Sequence, residues 1–371
     1  IQAYQEPLPN DGNKHARCRF PARYAWLSRH MNLPDYRARE ARCNQLERWG
    51  MFDRLQSVSL LMVSGYFGNP ASSFGHSLLR LNTDDTTDQL QLLDLSFNFG
   101  ALVPEDELIP VYIYRGLTGG YTSGFSDRYF YTQDLVYARS EMRDMWDYRL
   151  NLNVEQRDFL VMHLWELSGK KFTYYFLTKN CAYRLAELIE LVTGEKITAR
   201  ANVWYTPVEL FHRLHDAPTP LVQSIRYIPS SQRQLQHHLA RLDPIQHTAI
   251  RHVIQNGPDT LTQTLEPFDL KERIGITEAL LAYYQHQLIT QAPHSNPSLR
   301  LQKDQVLRAR LQLPFQEQNS AKTEPPTQPS PALGSAPMLF SVGAGIDRYS
   351  TPLGLLRWAA YSNDMLGQHG V

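Results

Sequence analysis

Long apolar segments and net charge are both missing from this sequence. No run of about eighteen apolar residues occurs, so we predict no transmembrane helix. Lys plus Arg and Asp plus Glu number 37 each, so the overall charge does not favour a nucleic-acid partner. The 371 residues are 42% hydrophobic and 11% aromatic, a globular composition long enough for about two or three domains. The chain begins at Ile1 without a leader, and we expect that a targeting signal has been removed.

Motifs for metals and nucleotides are also missing. The sequence contains no HExxH motif and no CxxC pair, so a zinc site is not expected. The glycines of GLTGGYTSGFSD, residues 116–127, lack the spacing of a phosphate-binding turn, and we predict a loop there. We therefore expect no cofactor, no metal and no nucleic-acid partner.

Cysteine is scarce, with three residues at positions 18, 43 and 181. Cys18 and Cys43 both lie near the N-terminus, and aromatic residues that suit a small helical core follow each of them. We predict a disulfide between them, because such a bond stabilises a segment that has little core of its own. Two unpaired structural cysteines are the alternative. A disulfide would indicate an oxidising compartment such as a periplasm.

Apolar periodicity predicts a mixture of strands and helices. Residues 57–102 are predicted to form a compact antiparallel meander of three strands. We also predict strands at 128–138 and 146–152, and helices at 105–118, 154–167 and 181–193. Residues 202–292 are predicted to be mostly helical.

The C-terminal part of the sequence changes character twice. Residues 293–337 are rich in Pro, Gln and Ser and are predicted to be an extended linker. In the following stretch, 338–346, apolar side chains alternate with small or polar ones, which is a weak signature of an outer-membrane β-strand. A second apolar run, 353–361, follows. Two strands cannot close a barrel, so either they dock on the soluble domain or the natural protein continues past Val371.

Cys181 is the candidate nucleophile. It lies at the predicted start of an amphipathic helix, where the helix dipole and unsatisfied N–H groups lower the pKa of a thiol. The same N–H groups can hold an oxyanion, and Lys179 adds a nearby positive charge. A buried structural thiol is the alternative interpretation.

His76 is the candidate base for this thiol. It begins the predicted strand HSLLRLN, and an imidazole has a suitable pKa for accepting a thiol proton. The alternative is a histidine that bonds backbone groups of the preceding loop.

A base needs a residue that orients it, and the neighbouring strand offers Asn98 or Ser96, with Asp94 further along. These alternate residues share one face of the strand. Asn98 is preferred, because an amide in the apolar setting SFNFGA needs hydrogen-bond partners.

Three segments together resemble a known family. They are GHSLLRL, SFNFGA and YYFLTKNCAYRLAEL, and they resemble the Lnb N-terminal periplasmic domain, long described only as a domain of unknown function. CRFPARYAWL, from Cys18, resembles the Cys-containing segment that precedes this domain in proteobacterial members. The resemblance covers about residues 15–200, and the Pro-rich linker followed by a β domain fits the same layout.

The resemblance implies a fold and a set of roles. The family is similar to circularly permuted papain-like thiol enzymes, in which the histidine precedes the cysteine. An α+β fold is therefore expected, with an antiparallel sheet packed on helices. Cys181 would be the nucleophile, His76 the general base and Asn98 the orienting residue. The implied domains are a helical cap at 1–56, a papain-like thiol domain at 57–200, a helical accessory region at 201–292, a linker at 293–337 and a β segment at 338–371.

The function implied is that of a periplasmic acyltransferase or hydrolase acting on an ester or amide. Some members are implicated in lipoprotein N-acylation, so a lipid or lipoprotein substrate is expected. The β segment would associate with the outer membrane. Six aromatic residues are candidates to line an acyl groove, with ordinary core as the alternative for at least half of them: Tyr112, Tyr114, Tyr121, Phe125, Tyr174 and Tyr175.

Two other functions remain open at this point. A peptidoglycan or peptide amidase would use the same Cys-His pair in a polar, open cleft. A non-catalytic envelope module would keep Cys181 buried and inert to alkylation.

Overall fold

The computed structural model describes residues 1–7, 9, 11–33, 43–66, 68, 70–83, 91–104, 106–198, 204–291, 297–314, 328–336, 338–346, 348–349 and 351–359. The chain divides into two compact units. The first comprises Ile1–Gln133, Trp146–Arg226 and Pro329–Val371, and the second comprises Asp134–Met145 and Tyr227–Gln328.

The strands belong to two sheets. They are β1 Ser57–Val63, β2 His76–Asn82, β3 Leu95–Ala101, β4 Tyr121–Tyr129, β5 Met145–Leu150, β6 Phe172–Tyr174, β7 Val222–Ile228, β8 Leu339–Ile346 and β9 Pro352–Ala359. The larger sheet has seven strands in the order β6-β4-β3-β2-β1-β5-β7, and β8 pairs with β9 alone. The predicted α+β class is confirmed.

Helices surround this sheet and build most of the second unit. They are α1 Gln2–Gln5, α2 Ala16–Arg19, α3 Pro21–His30, α4 Asn44–Gly50, α5 Ile109–Thr118, α6 Phe130–Asp134, α7 Val154–Leu167, α8 Cys181–Thr193, α9 Pro207–His215, α10 Ser231–Ala240, α11 Pro244–Asn256, α12 Leu261–Leu265, α13 Leu270–Thr290 and α14 Pro297–Gln312. A π-helix runs over Leu135–Ser140. Among the described helices, none is both long enough and apolar enough to cross a bilayer.

The predicted meander forms the centre of the larger sheet. β1 pairs antiparallel with β2, with Val63 opposite His76, and β2 pairs antiparallel with β3, with Leu78 opposite Asn98. After its first residue, β1 is buried throughout, as is β2. The aliphatic side chains of SVSLLMV and SLLRL thus give the sheet its core, which fixes the register because a one-residue slip would reverse every side chain.

Helix α8 packs on β2 and β3 and against α7. Its buried residues Leu185, Leu188 and Ile189 have the helical spacing that the sequence shows. The helix begins at Cys181, as predicted, and ends at Gly194, whose φ of 76° favours glycine. The prediction of helix α7 over 154–167 is also confirmed, and Asn153 and Gln156 form a capping box at its start.

The prediction of a loop at 116–127 is wrong. Residues Tyr121–Tyr129 form β4, which pairs with β3 on one side and β6 on the other. Pairing on both sides outweighs the low strand propensity of glycine. Gly124 also has a packing role, because a Cβ there would lie 3.0 Å from the Lys170 carbonyl oxygen.

The prediction of a strand at 128–138 is wrong as well. Apart from the last residues of β4, this segment is helical, in α6 and then the π-helix. Phe130 and Gln133 are buried at a spacing of three residues, which is helical. Their aromatic and β-branched neighbours suggested a strand, but the buried face decides the structure.

The N-terminal disulfide is confirmed. Cys18 and Cys43 are bonded, with their Cα atoms 5.2 Å apart. The Trp165 indole donates to the Cys18 carbonyl oxygen over 2.8 Å, which fixes the bonded segment to α7. Residues 34–42 between the two cysteines lie outside the described residues.

The C-terminal half contains a helix that the sequence did not predict. Helix α14 lies in the stretch expected to be an extended linker, and Val306 within it is fully buried. Val306 joins the core of the second unit with Val253, Ile276 and Leu280. The rest of the expected linker is described only over 313–314 and 328–336, so residues 315–327 lie outside the described part.

Candidate active site

His76 occupies the first position of β2 and is half-buried. Its Nε2 lies 2.6 Å from Asn98 Oδ1. Because an amide oxygen only accepts, Nε2 carries the hydrogen and donates it. In the neutral ring the lone pair is therefore on Nδ1, the nitrogen that would take a proton from a nucleophile.

Gly75 explains the Gly-His pair. Its φ is 86°, a conformation that L side chains rarely adopt. A Cβ at this position would also lie 2.8 Å from Met62 Cε and 2.9 Å from the Val63 carbonyl oxygen. Only glycine fits the turn that leads the loop into β2, and this turn places His76 at the first position of the strand.

The three candidate orienting residues have different partners. Asn98 contacts His76, whereas the Ser96 hydroxyl donates to the Arg128 carbonyl oxygen over 2.7 Å. Asp94 accepts from the Thr83 hydroxyl over 2.7 Å and lies just before β3. The structure thus brings Asn98, and neither Ser96 nor Asp94, to the imidazole.

Asn180 fixes the position of Cys181. Its amide oxygen accepts the Tyr183 N–H over 3.1 Å, so Asn180 is the N-cap of α8. Its amide nitrogen donates to the carbonyl oxygens of Phe176 and Tyr205 over 3.0 and 2.5 Å. This amide is 2% exposed and is satisfied on both sides. The thiol therefore starts the helix at a firmly held point, next to the positive end of the helix dipole.

Cys181 is buried in an aromatic cluster. It is 2% exposed and packs with four rings, those of Phe99, Tyr121, Tyr174 and Phe176. We call these five residues the Cys181 cluster. Phe99 and Tyr174 stack with ring centroids 6.0 Å apart.

The two parts of the site lie at the same end of the sheet. His76 begins β2, Phe99 lies near the end of β3, and Tyr121 begins β4. The pairing of β2 with β3 extends as far as Leu78 and Asn98, so His76 lies beyond it. His76 and the Cys181 cluster therefore lie at the same end of the sheet.

Arg184 brings a positive charge close to the cluster. It lies one turn after Cys181, and its guanidinium is 5.9 Å from the centroid of Phe99 and 4.9 Å from that of Phe172. Its ion pair with Glu187 is 2.7 Å long. A cavity of about 480 Å³ is lined by this ion pair together with Phe172, Leu188 and Leu191, and by no member of the Cys181 cluster.

Four of the six aromatic residues predicted for an acyl groove belong to this region. Tyr121 and Tyr174 are in the Cys181 cluster, and Tyr112 and Phe125 pack against it. Tyr114 is 69% exposed and is not part of the cluster. Tyr175 is half-buried beside Gly119, where a Cβ would lie 2.5 Å from its ring.

Sequence reasoning missed two contributors to the site. Asn180 was given no role within the segment YYFLTKNCAYRLAEL, although an Asn before an apolar helical repeat is an N-cap signal. Helix α5 was predicted, but not its contact with the cluster. Gly116 inside that helix was the available signal, because an isolated glycine in a helix indicates close packing.

The fold and the site define a class. This is an α+β domain with a central antiparallel sheet, in which a histidine-amide pair and a helix-start cysteine lie at one end. Residues 45–217 match the family described as the Lnb N-terminal periplasmic domain, and residues 1–30 match a domain of unknown function (DUF7843).

The chain therefore carries a domain of the Lnb N-terminal periplasmic family, as the sequence predicted. This family makes it a periplasmic protein of the cell envelope. The Cys18–Cys43 disulfide agrees with that oxidising compartment. The comparison with curated proteins found no match, and neither did the comparison with solved structures.

Proposed function

We propose that this protein is a cysteine-dependent acyltransferase or hydrolase that acts on an ester or amide in the periplasm. The supporting observation is the 2.6 Å hydrogen bond from His76 to Asn98, at the same end of the sheet as Cys181. Such a bond fixes an imidazole in the tautomer that a thiol nucleophile needs. We also propose that this domain is related to circularly permuted papain-like enzymes, as the resemblance implies.

The proposed reaction has two steps. His76 Nδ1 takes the proton of the Cys181 thiol, and the thiolate attacks the carbonyl carbon of the substrate. The backbone N–H of Cys181 helps to hold the resulting oxyanion. His76 then gives its proton to the leaving group as the carbonyl re-forms, which leaves a thioester on Cys181. An amine or a water molecule attacks this thioester and releases the thiol.

The setting of Cys181 supports an acyl substrate. Its neighbours in the buried cluster are aromatic rings, which suit an apolar chain. A long acyl chain would gain about 0.8 kcal/mol for each CH₂ that it buries. A peptidoglycan amidase would instead need a polar, open cleft around the thiol.

Trapping the thioester tests this proposal. Cys181 is the cysteine outside the disulfide, since Cys18 and Cys43 are bonded. Incubation with a p-nitrophenyl ester should therefore add one acyl group to the intact mass, and hydroxylamine should remove it. Cys181→Ala should add none, and His76→Ala should acylate at least about a hundredfold more slowly. Equal acylation of wild type and Cys181→Ala would contradict the proposal.

The burial of Cys181 favours a second candidate function. At 2% exposure the thiol has the setting expected of a non-catalytic envelope module. That function predicts a thiol that neither acylates nor alkylates in the folded protein. The trapping experiment separates the two functions, because an inert thiol forms no adduct.

We also propose that the β8–β9 hairpin associates with the outer membrane. The cross-strand pairs Phe340–Trp358 and Val342–Leu356 put four large apolar side chains on one face. They are 51% to 73% exposed. Asn substitutions at Phe340 and Val342 should release the protein from outer-membrane fractions, and unchanged fractionation would contradict this association.

A further inference from the structure

Helix α5 and the segment before it expose an unusual amount of apolar surface. Ile109, Tyr114 and Leu117 of the helix are 63%, 69% and 49% exposed. Leu102 and Leu108, which precede it, are 67% and 72% exposed. Exposed apolar side chains gathered on one segment in this way indicate an interaction site.

The inward side of the same helix packs on the Cys181 cluster. Tyr112 lies 4.9 Å from Phe176 and 5.9 Å from Tyr121, measured between ring centroids. Gly116 lets the helix approach closely, because a Cβ there would lie 2.3 Å from the Phe176 ring. The Gly116 carbonyl oxygen also accepts the Phe176 N–H over 2.9 Å. Helix α5 therefore helps to bury the cluster that contains the thiol.

Polar contacts of Glu107 with Arg115 and Tyr121, which we call the clasp, hold the helix in this position. The carboxylate of Glu107 accepts from Arg115 in the helix over 2.5 Å and from the Tyr121 hydroxyl of the cluster. Burial and the contact with Glu107 raise the pKa of Tyr121 to about 12. The hydroxyl thus remains a donor to Glu107 at all physiological pH values.

We propose that helix α5 docks its outward face on a lipid surface and that docking draws it away from the Cys181 cluster. The lipid contact is inferred from the exposed side chains and does not depend on the proposed function. The opening of the thiol rests on the proposed function, which requires a substrate to reach Cys181.

The charges of the segment favour a lipid bilayer over a charged protein partner. Arg115 is paired with Glu107, and Asp106 is the other charged residue described in this segment, so no unpaired positive charge lies beside the aliphatic side chains. These side chains stand on one short helix and the segment before it, and a fluid bilayer needs no matching shape to receive them. The protein is periplasmic, and a membrane bounds that compartment on either side.

Binding to phosphatidylcholine vesicles tests the contact. Wild type should sediment with the vesicles, and added salt should change this little, since no charge attraction is involved. Ile109→Glu with Leu117→Glu should weaken binding roughly tenfold or more. Ile245→Glu with Leu311→Glu is the matched control, because these residues are 71% and 75% exposed elsewhere, and it should bind as wild type does.

Three results would overturn the lipid contact. One is wild type that does not bind the vesicles. Another is a helix variant that binds as well as wild type while its melting temperature shows that it is folded. The third is loss of binding in the matched control by the same factor, which would indicate a general effect of added charge.

Alkylation of Cys181 tests the opening. Vesicles should speed iodoacetamide labelling at least about fivefold in wild type, and by the same factor in His76→Ala, because opening does not depend on the base. Glu107→Gln, which weakens the clasp, should speed labelling without vesicles. A rate unaffected by vesicles would contradict the opening of α5, whereas a rate unaffected by His76→Ala would contradict the proposed active site.

Discussion

The two ends of strand β2 hold polar side chains in contrasting environments. At one end His76 is half-buried and donates to the Asn98 amide oxygen on the next strand. At the other end Arg80 is 1% exposed, bonds Asp147 over 2.6 Å and Asn82 over 2.8 Å, and lies 3.7 Å from Asp94. Both residues belong to the motif GHSLLRL, yet their settings suit different tasks.

The contrast shows how one strand serves both stability and chemistry. A buried guanidinium is tolerable only when carboxylates and amides surround it, and such a network is fixed. Burial lowers the pKa of Arg80, and the attraction of Asp147 opposes this. A base must instead exchange protons, so it lies where the strand begins and the ladder with β3 has ended.

Removal of Arg80 should have the largest effect on stability. Arg80→Met removes the buried cation beside Asp94 and leaves Asp147 with Arg226 alone, at 3.3 Å, which costs about 3–5 kcal/mol. His76→Ala at the other end should cost less than about 1 kcal/mol, because its side chain is half-buried. Urea unfolding of the two variants gives both values. Similar losses of unfolding free energy in the two variants would contradict the contrast between the two ends of β2.

Asn98 offers the matching test on the site side. Asn98→Ala should slow acylation of Cys181 about tenfold, because the imidazole loses the bond that holds its tautomer. Stability should change by less than about 1 kcal/mol. Ser96→Ala is the matched control on the same face of β3 and should leave the rate unchanged. A rate lost equally in both variants would indicate damage to the sheet rather than loss of an orienting residue.

Asp94 should make the stability of the protein depend on pH, with a smaller effect than the loss of Arg80. Burial raises the pKa of Asp94 above its usual 3.8, against the opposing bonds from Thr83. The folded protein therefore binds this proton more tightly than the unfolded chain does. The stability it contributes is complete below pH 3.8 and is lost as the pH rises through the raised value.

Asp94→Asn removes this proton-binding group and keeps an acceptor for Thr83. Relative to the variant, wild type should lose stability as the pH rises through that window. Thermal melts at several pH values measure the difference. A gap between the two proteins that widens in favour of wild type as the pH rises would contradict the raised pKa.

The residues that the sequence identified correctly share a local signal. The hairpin between β2 and β3 follows from two apolar runs joined by a polar segment, and it places Asn98 near His76. The start of α8 at Cys181 follows from an apolar repeat of helical spacing. Both depend on short-range patterns, which a single sequence carries well.

The wrong predictions concern elements whose structure depends on contacts between distant segments. β4 becomes a strand because β3 and β6 pair with it, although its glycines suggest a loop. Helix α14 forms where Val306 enters the core of the second unit. The placement of α5 on the Cys181 cluster depends on Phe176, sixty residues beyond Gly116. None of these contacts is encoded within a local window.

The pH dependence of iodoacetamide labelling at Cys181 tests the central claim most directly. An activated pair predicts fast labelling well below the free-thiol pKa of about 8.5, and loss of that reactivity in His76→Ala. The labelling is measured with and without phosphatidylcholine vesicles. The vesicles should expose the buried thiol if α5 opens as proposed. Labelling that stays slow under both conditions and does not change in His76→Ala would contradict an active site formed by Cys181 and His76.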